Sequence, residues 1–167
     1  DLLGLEGKIS VFRGDRNERE DLHRVYQAFD PEVIIDFCCF EPFQAQTAVE
    51  AVKEMHCARY IFVSTVDVYG YPLGNLPMRE SDPWGEPNCL YASNKKECER
   101  IFKEGFANSP TSLTIARPAY SMGKTFCPHL RETGESTLWP GSGRESPFMC
   151  LGTGMLFCKP DQLIIRA

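Results

Sequence analysis

Tyr60-Ile61-Phe62-Val63-Ser64-Thr65 is apolar over its first four residues and then ends in two hydroxyls, and Val66-Asp67-Val68-Tyr69-Gly70 leads the chain away from it. A short apolar run bounded by turn chemistry reads as a strand covered on both faces, the kind found in parallel sheets. Downstream lies a loop from Gly70 to Asn88 with Pro72, Pro77, Pro83 and Pro87, followed by a charged helix expected over about 90–106. Ile101, Phe102 and Phe106 share its apolar side. Ser112 to Ala116 reads as a further strand, closed by Arg117-Pro118.

Upstream, the spacing of Ala48, Ala51, Val52 and Met55 predicts an amphipathic helix over about 43–56. Val33 to Cys39 is a nearly continuous apolar run and reads as another buried strand. Before it, Leu22, Val25, Tyr26 and Phe29 recur at helical spacing, and Asp30-Pro31 stops that helix. Asp15 or Asn17 is expected to cap it, because a short side-chain oxygen satisfies the orphan amides of a first turn. Ile9 to Arg13 is a β-type run ending in Gly14-Asp15. Strands alternating with helices at these intervals predict an α/β fold of right-handed βαβ units with a parallel sheet. From about Thr125 the pattern breaks down, and only Leu163 to Ile165 suggests another strand. The expected division is a domain over 1–124 and an irregular tail, or remnant of a second domain, over 125–167.

The 167 residues suffice for one domain with a real core, and 43% hydrophobic with 25% charged residues is ordinary for a globular chain. A net charge of −5 provides no basic field for a phosphate backbone, so no nucleic-acid partner is expected. No apolar run approaches a membrane span, and Asp1-Leu2-Leu3-Gly4 does not open a signal peptide. The absence of an initiator Met suggests a chain that starts inside something longer. Eight cysteines invite a disulfide or zinc reading, but there is no CxxC, and Cys127 with His129 lacks a second ligand pair. Reduced, mostly buried thiols, a cytoplasmic location and no metal are expected. His23, His56 and His129 are scattered.

The chemistry-bearing residues cluster in the central stretch. Tyr91-Ala92-Ser93-Asn94-Lys95 opens the charged helix and places Tyr91 and Lys95 at i and i+4 on one face. A nearby ammonium stabilises phenolate, which would bring the tyrosine toward acid/base service near neutrality. Alone the spacing is weak: with six tyrosines, YxxxK arises by chance in roughly one such chain in four. Thr65, at the end of a buried strand, adds a hydroxyl where α/β sheets place their ligands. Asp36, inside an apolar run, reads as a hydrogen-bonded structural acid with no catalytic role.

Together these elements resemble the NAD-dependent epimerase/dehydratase branch of the extended short-chain dehydrogenase/reductase family. The likeness covers roughly 9–123, in the family's order. Ser64-Thr65 with Val68-Tyr69-Gly70 is similar to its serine/threonine strand, with Thr65 at the catalytic hydroxyl. Tyr91 and Lys95 match the tyrosine acid/base and the lysine that holds the nicotinamide ribose. Gly14-Asp15 resembles the strand end whose acid lies near the adenine, and Arg117-Pro118 with Gly123 resembles the stretch leading toward the substrate. The resemblance implies a catalytic group of Thr65, Tyr91 and Lys95. It implies cofactor contacts from Asp15, Tyr91, Lys95 and Arg117, and substrate contacts from Ser64, Thr65 and Asp67. The implied cofactor is NAD or NADP, and the implied substrate a small molecule, a nucleotide sugar. In this family tyrosinate takes a hydroxyl proton while the adjacent carbon gives hydride to nicotinamide.

Three departures qualify it. The family opens with a strand, a glycine-rich turn and a helix that binds the diphosphate, and Gly4-Leu5-Glu6-Gly7 does not supply this. Where many members carry His-x-Ala-Ala, this chain has Asp36-Phe37-Cys38-Cys39-Phe40. The C-terminal substrate domain is short or absent. The expected fold is therefore a partial Rossmann-like parallel sheet with flanking helices, its N-terminal βαβ missing, and weak or no NAD binding follows. A central strand left as an edge predicts either poor solubility or pairing with a second copy, a homodimer. Dehydratases typically follow the threonine with Asp-Glu, whereas Val66-Asp67 stands here, which favours an epimerase or reductase. The competing expectation is a non-catalytic Rossmann-like scaffold binding RNA or protein or sensing redox state, which the missing glycine loop and the cysteine-rich tail favour. A third is an inactive piece of a longer gene product.

Overall fold

The computed structural model describes residues 9–119, 158–159 and 162–166. Its elements are β1 (Ile9–Arg13), α1 (Arg19–Phe29), β2 (Val33–Asp36), α2 (Pro42–Lys53), β3 (Arg59–Val63), a single 3-10 turn (Val66–Tyr69), α3 (Leu90–Phe106), β4 (Ser112–Ala116), β5 (Cys158–Lys159) and β6 (Gln162–Arg166). Three strands form a parallel sheet in the order β2-β3-β4, with Val33 opposite Arg59 and Val63 opposite Ala116. The strand expected at 163–165 is present as β6, but β1 does not join the parallel sheet. It pairs antiparallel with β6, Ile9 opposite Arg166, in a second sheet that continues to β5.

The core forms where α1, α2 and α3 meet β2 and β3. Leu22, Val25 and Tyr26 of α1 are buried, and Phe29 packs partly buried against them. Ala45, Ala48, Ala51 and Val52 of α2 are fully covered. Tyr60 and Phe62 project from β3 onto Phe102 and Phe106 of α3, with ring centroids 4.7 to 5.3 Å apart across the strand–helix contacts. Gly105 lets α3 close on α2: a Cβ there would lie 2.6 Å from Val49 Cγ1.

Three boundaries differ from the sequence expectation. The first helix is capped by Glu18, not by Asp15 or Asn17, and Glu18 uses no side-chain bond to do so. Asp15 instead closes a tight turn just ahead, accepting the Asn17 amide at Oδ1 and the Glu18 amide at its carbonyl. The second strand stops at Asp36 rather than Cys39, because the Asp36 carboxylate accepts the Cys38 amide and bends the chain away. Helix α2 ends at Lys53, and Met55 packs on the core from beyond its end.

The loop after the 3-10 turn is drawn in at its neck. Gly70 has φ of 72°, and a Cβ on it would lie 2.5 Å from the Glu86 carbonyl. The Gly85 amide donates to the Tyr69 carbonyl at 2.9 Å, and Lys96 Nζ donates to the Gly85 carbonyl at 3.0 Å. Trp84 beside them lies under the Lys103 ammonium, 4.3 Å from its ring centroid. No helix among the described residues is long and apolar enough to cross a membrane.

Candidate active site at the end of the central strand

Parallel pairing brings the carboxyl ends of β2, β3 and β4 to one side, and α3 begins beside them. Ser64 and Thr65 follow β3 directly, held by the Ser64 amide to the Ala116 carbonyl at 2.7 Å and the Val66 amide to the Pro118 carbonyl at 3.2 Å. Thr65 caps the 3-10 turn: its Oγ1 accepts the Asp67 amide at 3.3 Å. Its hydroxyl donates to Asp67 Oδ2 at 3.1 Å, and the Tyr91 phenol is within hydrogen-bonding reach of the same side chain. The Tyr71 hydroxyl donates to the other carboxylate oxygen at 3.4 Å. Ser64 Oγ is buried without a protein partner.

Tyr91 occupies the first turn of α3 and is 42% exposed, the most accessible member of the group. Lys95, one turn on, is almost wholly buried. Its Nζ donates to the Val63 carbonyl at 2.8 Å and lies 4.8, 4.9 and 5.9 Å from the ring centroids of Phe62, Phe40 and Tyr91. Thr65, Tyr91 and Lys95 are thus gathered at the end of β3, with Ser64 and Asp67 beside them.

The electrostatics differ from the expectation that Lys95 pulls the phenol down. Burial pushes Tyr91 above its ordinary pKa, the Asp67 charge adds to the rise, and interaction with the Thr65 side chain opposes it. The reason is geometric: the Lys95 ammonium faces the ring and is committed to the Val63 carbonyl rather than to the phenol oxygen. Lys95 itself is lowered, by burial, against the fields of Cys39, Asp36 and Cys98.

Arg117 and Asp15 are not brought into this group. The Arg117 guanidinium grips the fully buried Glu99 through Nε at 2.8 Å and Nη2 at 2.6 Å, and Nη1 donates to the Tyr69 hydroxyl at 2.7 Å. Its charge-assisted bonds to Glu99 hold it above the usual arginine range. Asp15 is exposed in its turn and accepts the Asn17 amide.

Arg16 is a residue the sequence reading missed. It reaches the end of β2, where its Nη2 meets Asp36 Oδ2 at 2.7 Å, and the Tyr60 hydroxyl donates to the same oxygen at 2.6 Å. Asp36 is therefore the hydrogen-bonded structural acid expected of it. A carboxylate inside an apolar strand requires a cation or several donors, and that requirement was the available signal. The partner's identity was not readable, because it sits on a different segment.

The starts of α1 and α2 are not suited to a dinucleotide's diphosphate. The first turn of α1 carries Glu20 and Asp21 behind the Glu18 cap. At α2 Pro42 has no amide hydrogen and the Gln44 amide is taken by the Glu41 side chain, itself an acid. Neither helix start offers the free amides and favourable charge that such an anion needs. Among the described residues no three His, Cys, Asp or Glu side chains are grouped so as to hold a metal.

The sequence profile of the NAD dependent epimerase/dehydratase family matches residues 44–139. No curated protein sequence matches the chain. Among solved structures, UDP-glucose 4-epimerase from Bifidobacterium longum, crystallised with NAD+ and UDP, is similar at 21% identity and a TM-score of 0.57, over 62% of this chain and 36% of that one. The dTDP-glucose 4,6-dehydratase from Bacillus anthracis, in complex with NAD, gives 26% identity and a TM-score of 0.53 over 61% and 36%. UDP-glucose 4-epimerase from Brucella ovis, in complex with NAD, gives 18% and 0.57 over 62% and 36%. The chain spans just over a third of the length of these relatives, and the shared part is the Rossmann-like sheet with its helices. The match covers more than half of the 167 residues, in the segment that holds Thr65, Tyr91 and Lys95, and the chain belongs to the NAD-dependent epimerase/dehydratase family.

Proposed function

We propose that Thr65, Tyr91 and Lys95 form the proton-transfer group of an NAD-dependent enzyme acting on a nucleotide sugar, as an epimerase or reductase. The observation that carries this reading is their convergence at the end of β3: an accessible phenol within hydrogen-bonding reach of the Thr65 side chain, with an ammonium one helical turn behind. In this reading the sugar hydroxyl points its proton at the Tyr91 phenolate, and the Thr65 hydroxyl, turned from Asp67 to the sugar oxygen, donates to that oxygen and holds it near the ring. Tyr91 takes the sugar hydroxyl's proton as phenolate and returns it as phenol. Before substrate binds, Asp67 accepts the Thr65 hydroxyl proton and holds the side chain at the strand end. NAD, when bound, supplies the hydride acceptor; the residues described here handle the proton and the substrate oxygen. Val66 stands where elimination would need a proton donor, which argues for epimerisation or reduction over dehydration.

A protein preparation with measurable turnover of UDP- or dTDP-sugars and NAD tests the assignment. Tyr91→Phe should lower turnover by about 10²-fold or more with little change in cofactor affinity. Undiminished turnover would remove Tyr91 from the role. For this chain, calorimetry with NAD(H) should show weak or no binding, since the starts of α1 and α2 do not accept the diphosphate. Micromolar affinity would overturn that expectation.

One observation favours a second reading, a non-catalytic Rossmann-like binding protein: the Lys95 ammonium is sealed among aromatic rings and a main-chain carbonyl. Turnover that depends on Tyr91 would exclude it.

A further inference from the structure

Two thiols behind Lys95 take no part in the proton transfer proposed above. Cys39 lies in the connection after β2, and Cys98 lies on α3 one turn beyond Lys95. Both are fully buried, yet the Cys39 thiol points at the Cys98 sulfur, Sγ to Sγ 3.9 Å, across 59 residues of sequence. Packing of α3 against the β2–α2 connection creates this contact, since nothing local in the sequence brings the two together. Cys39 Sγ also has the Glu41 carbonyl at 3.9 Å, and the other buried thiol among the described residues, Cys57, faces the Glu32 and Arg59 carbonyls instead of a sulfur.

The surroundings make the pair chemically unequal. Burial holds the Cys39 thiol well above its usual range. Cys98 is drawn below its own, by the hydrogen bond from Cys39 against the effect of burial, with the Lys95 charge assisting. A sulfur biased toward thiolate, facing a thiol that keeps its proton, is the arrangement from which exchange chemistry proceeds.

We propose that Cys39 and Cys98 are an oxidative modification site, a dithiol that a peroxide converts to a disulfide joining α3 to the β2–α2 connection. The Cys98 thiolate attacks one oxygen of hydrogen peroxide. The O–O bond breaks, leaving a sulfenic acid on Cys98 and a hydroxide ion. The Cys39 sulfur then attacks the Cys98 sulfur; the S–S bond forms, the S–OH bond breaks, and water leaves. With the Cys39 proton counted, two thiols and one peroxide give one disulfide and two waters. Closure requires the sulfurs to move from 3.9 Å to the roughly 2.05 Å of a disulfide. The oxidant class is a small peroxide because both sulfurs are enclosed, and a small molecule can enter during local opening where a bulky disulfide cannot. Phe40, next to Cys39, lies against the Lys95 ammonium, so closure alters the packing around Lys95.

The experiment treats the 167-residue chain with hydrogen peroxide, then denatures, alkylates and digests it for peptide mass spectrometry. The expected result is a peptide pair linked through Cys39 and Cys98. Alkylation at both should be lost, Cys57 should remain alkylated, and dithiothreitol should reverse the change. Cys38→Ser should keep the link, whereas Cys39→Ser should abolish it and leave Cys98 as a sulfenic or sulfinic acid. Full alkylation of Cys39 and Cys98 after peroxide would overturn the proposal. So would a link from Cys98 to Cys38 or to any other cysteine. The primary readout is on the unaltered chain, so a variant that fails to fold does not decide it, and the result does not depend on catalysis.

Discussion

At the scale of single residues, Lys95 illustrates how a motif position and its physics can diverge. The i, i+4 spacing with Tyr91 was readable, but the depth of the ammonium was not, because it depends on Phe40 and Phe62 from two other segments. Burial lowers the Lys95 pKa below that of the unfolded chain. At pH values below the native pKa both states are charged, and the folded protein bears the whole penalty of the buried ammonium. As pH rises past the native pKa, the folded state sheds its proton first, so stability rises until the ordinary lysine value of about 10.4 is passed. Lys95→Met removes this dependence and leaves the Val63 carbonyl without its donor, a loss of about 1–3 kcal/mol set against relief of the charge. Urea midpoints measured across the alkaline range should therefore show the wild type gaining on the Met variant as pH increases. A constant difference would show that the ammonium is not strained by its burial.

At the scale of elements, α3 carries both the chemistry and much of the core. Its boundaries, 90–106, matched the sequence reading, as did β4 at 112–116, because clear apolar periodicity and flanking Gly, Pro and Ser mark both. Less legible was the charge on its buried face: Glu99 is fully enclosed, paired with an Arg117 that the family likeness had assigned to the cofactor. Helical spacing sets Glu99 on the face of Phe102 and Phe106, and the arrival of Arg117 from β4's end, with Lys103 at 3.6 Å, satisfies the charge there. The closeness of α2 and α3 is also invisible in sequence. An exposed helical Gly→Ala change usually stabilises by about 1 kcal/mol. At Gly105 the new Cβ would meet Val49 Cγ1 at 2.6 Å, and overpacking of this kind costs about 1–3 kcal/mol. Gly105→Ala is expected to lower the unfolding free energy by about 1–2 kcal/mol. Combining it with Val49→Ala should recover part of the clash cost, a non-additivity readable from denaturant midpoints.

At the scale of the whole molecule, the α/β class and the three parallel strands followed from alternating apolar runs and amphipathic segments. The place of β1 did not, since its partner β6 lies some 150 residues away in the chain. Among the described residues β2 has no neighbour on its outer side, and Val33 on that strand is 48% exposed. An open edge of this kind pairs readily with another strand, so size-exclusion chromatography with light scattering should report a dimer or larger species. A clean monomer over a wide concentration range would count against pairing through β2. The drawn-in neck at Gly70 and Gly85 has a different consequence. Between these crossing points the chain forms a loop whose two ends are fixed to each other and to α3 through Lys96. Its tip is open at Gly74, where an added Cβ would meet nothing within 4 Å, and at Leu76, 79% exposed. Closed-neck loops tolerate added length at little entropic cost. The tip is thus a natural graft position, where a foreign peptide or reporter tag could be spliced in while Tyr91 keeps its place.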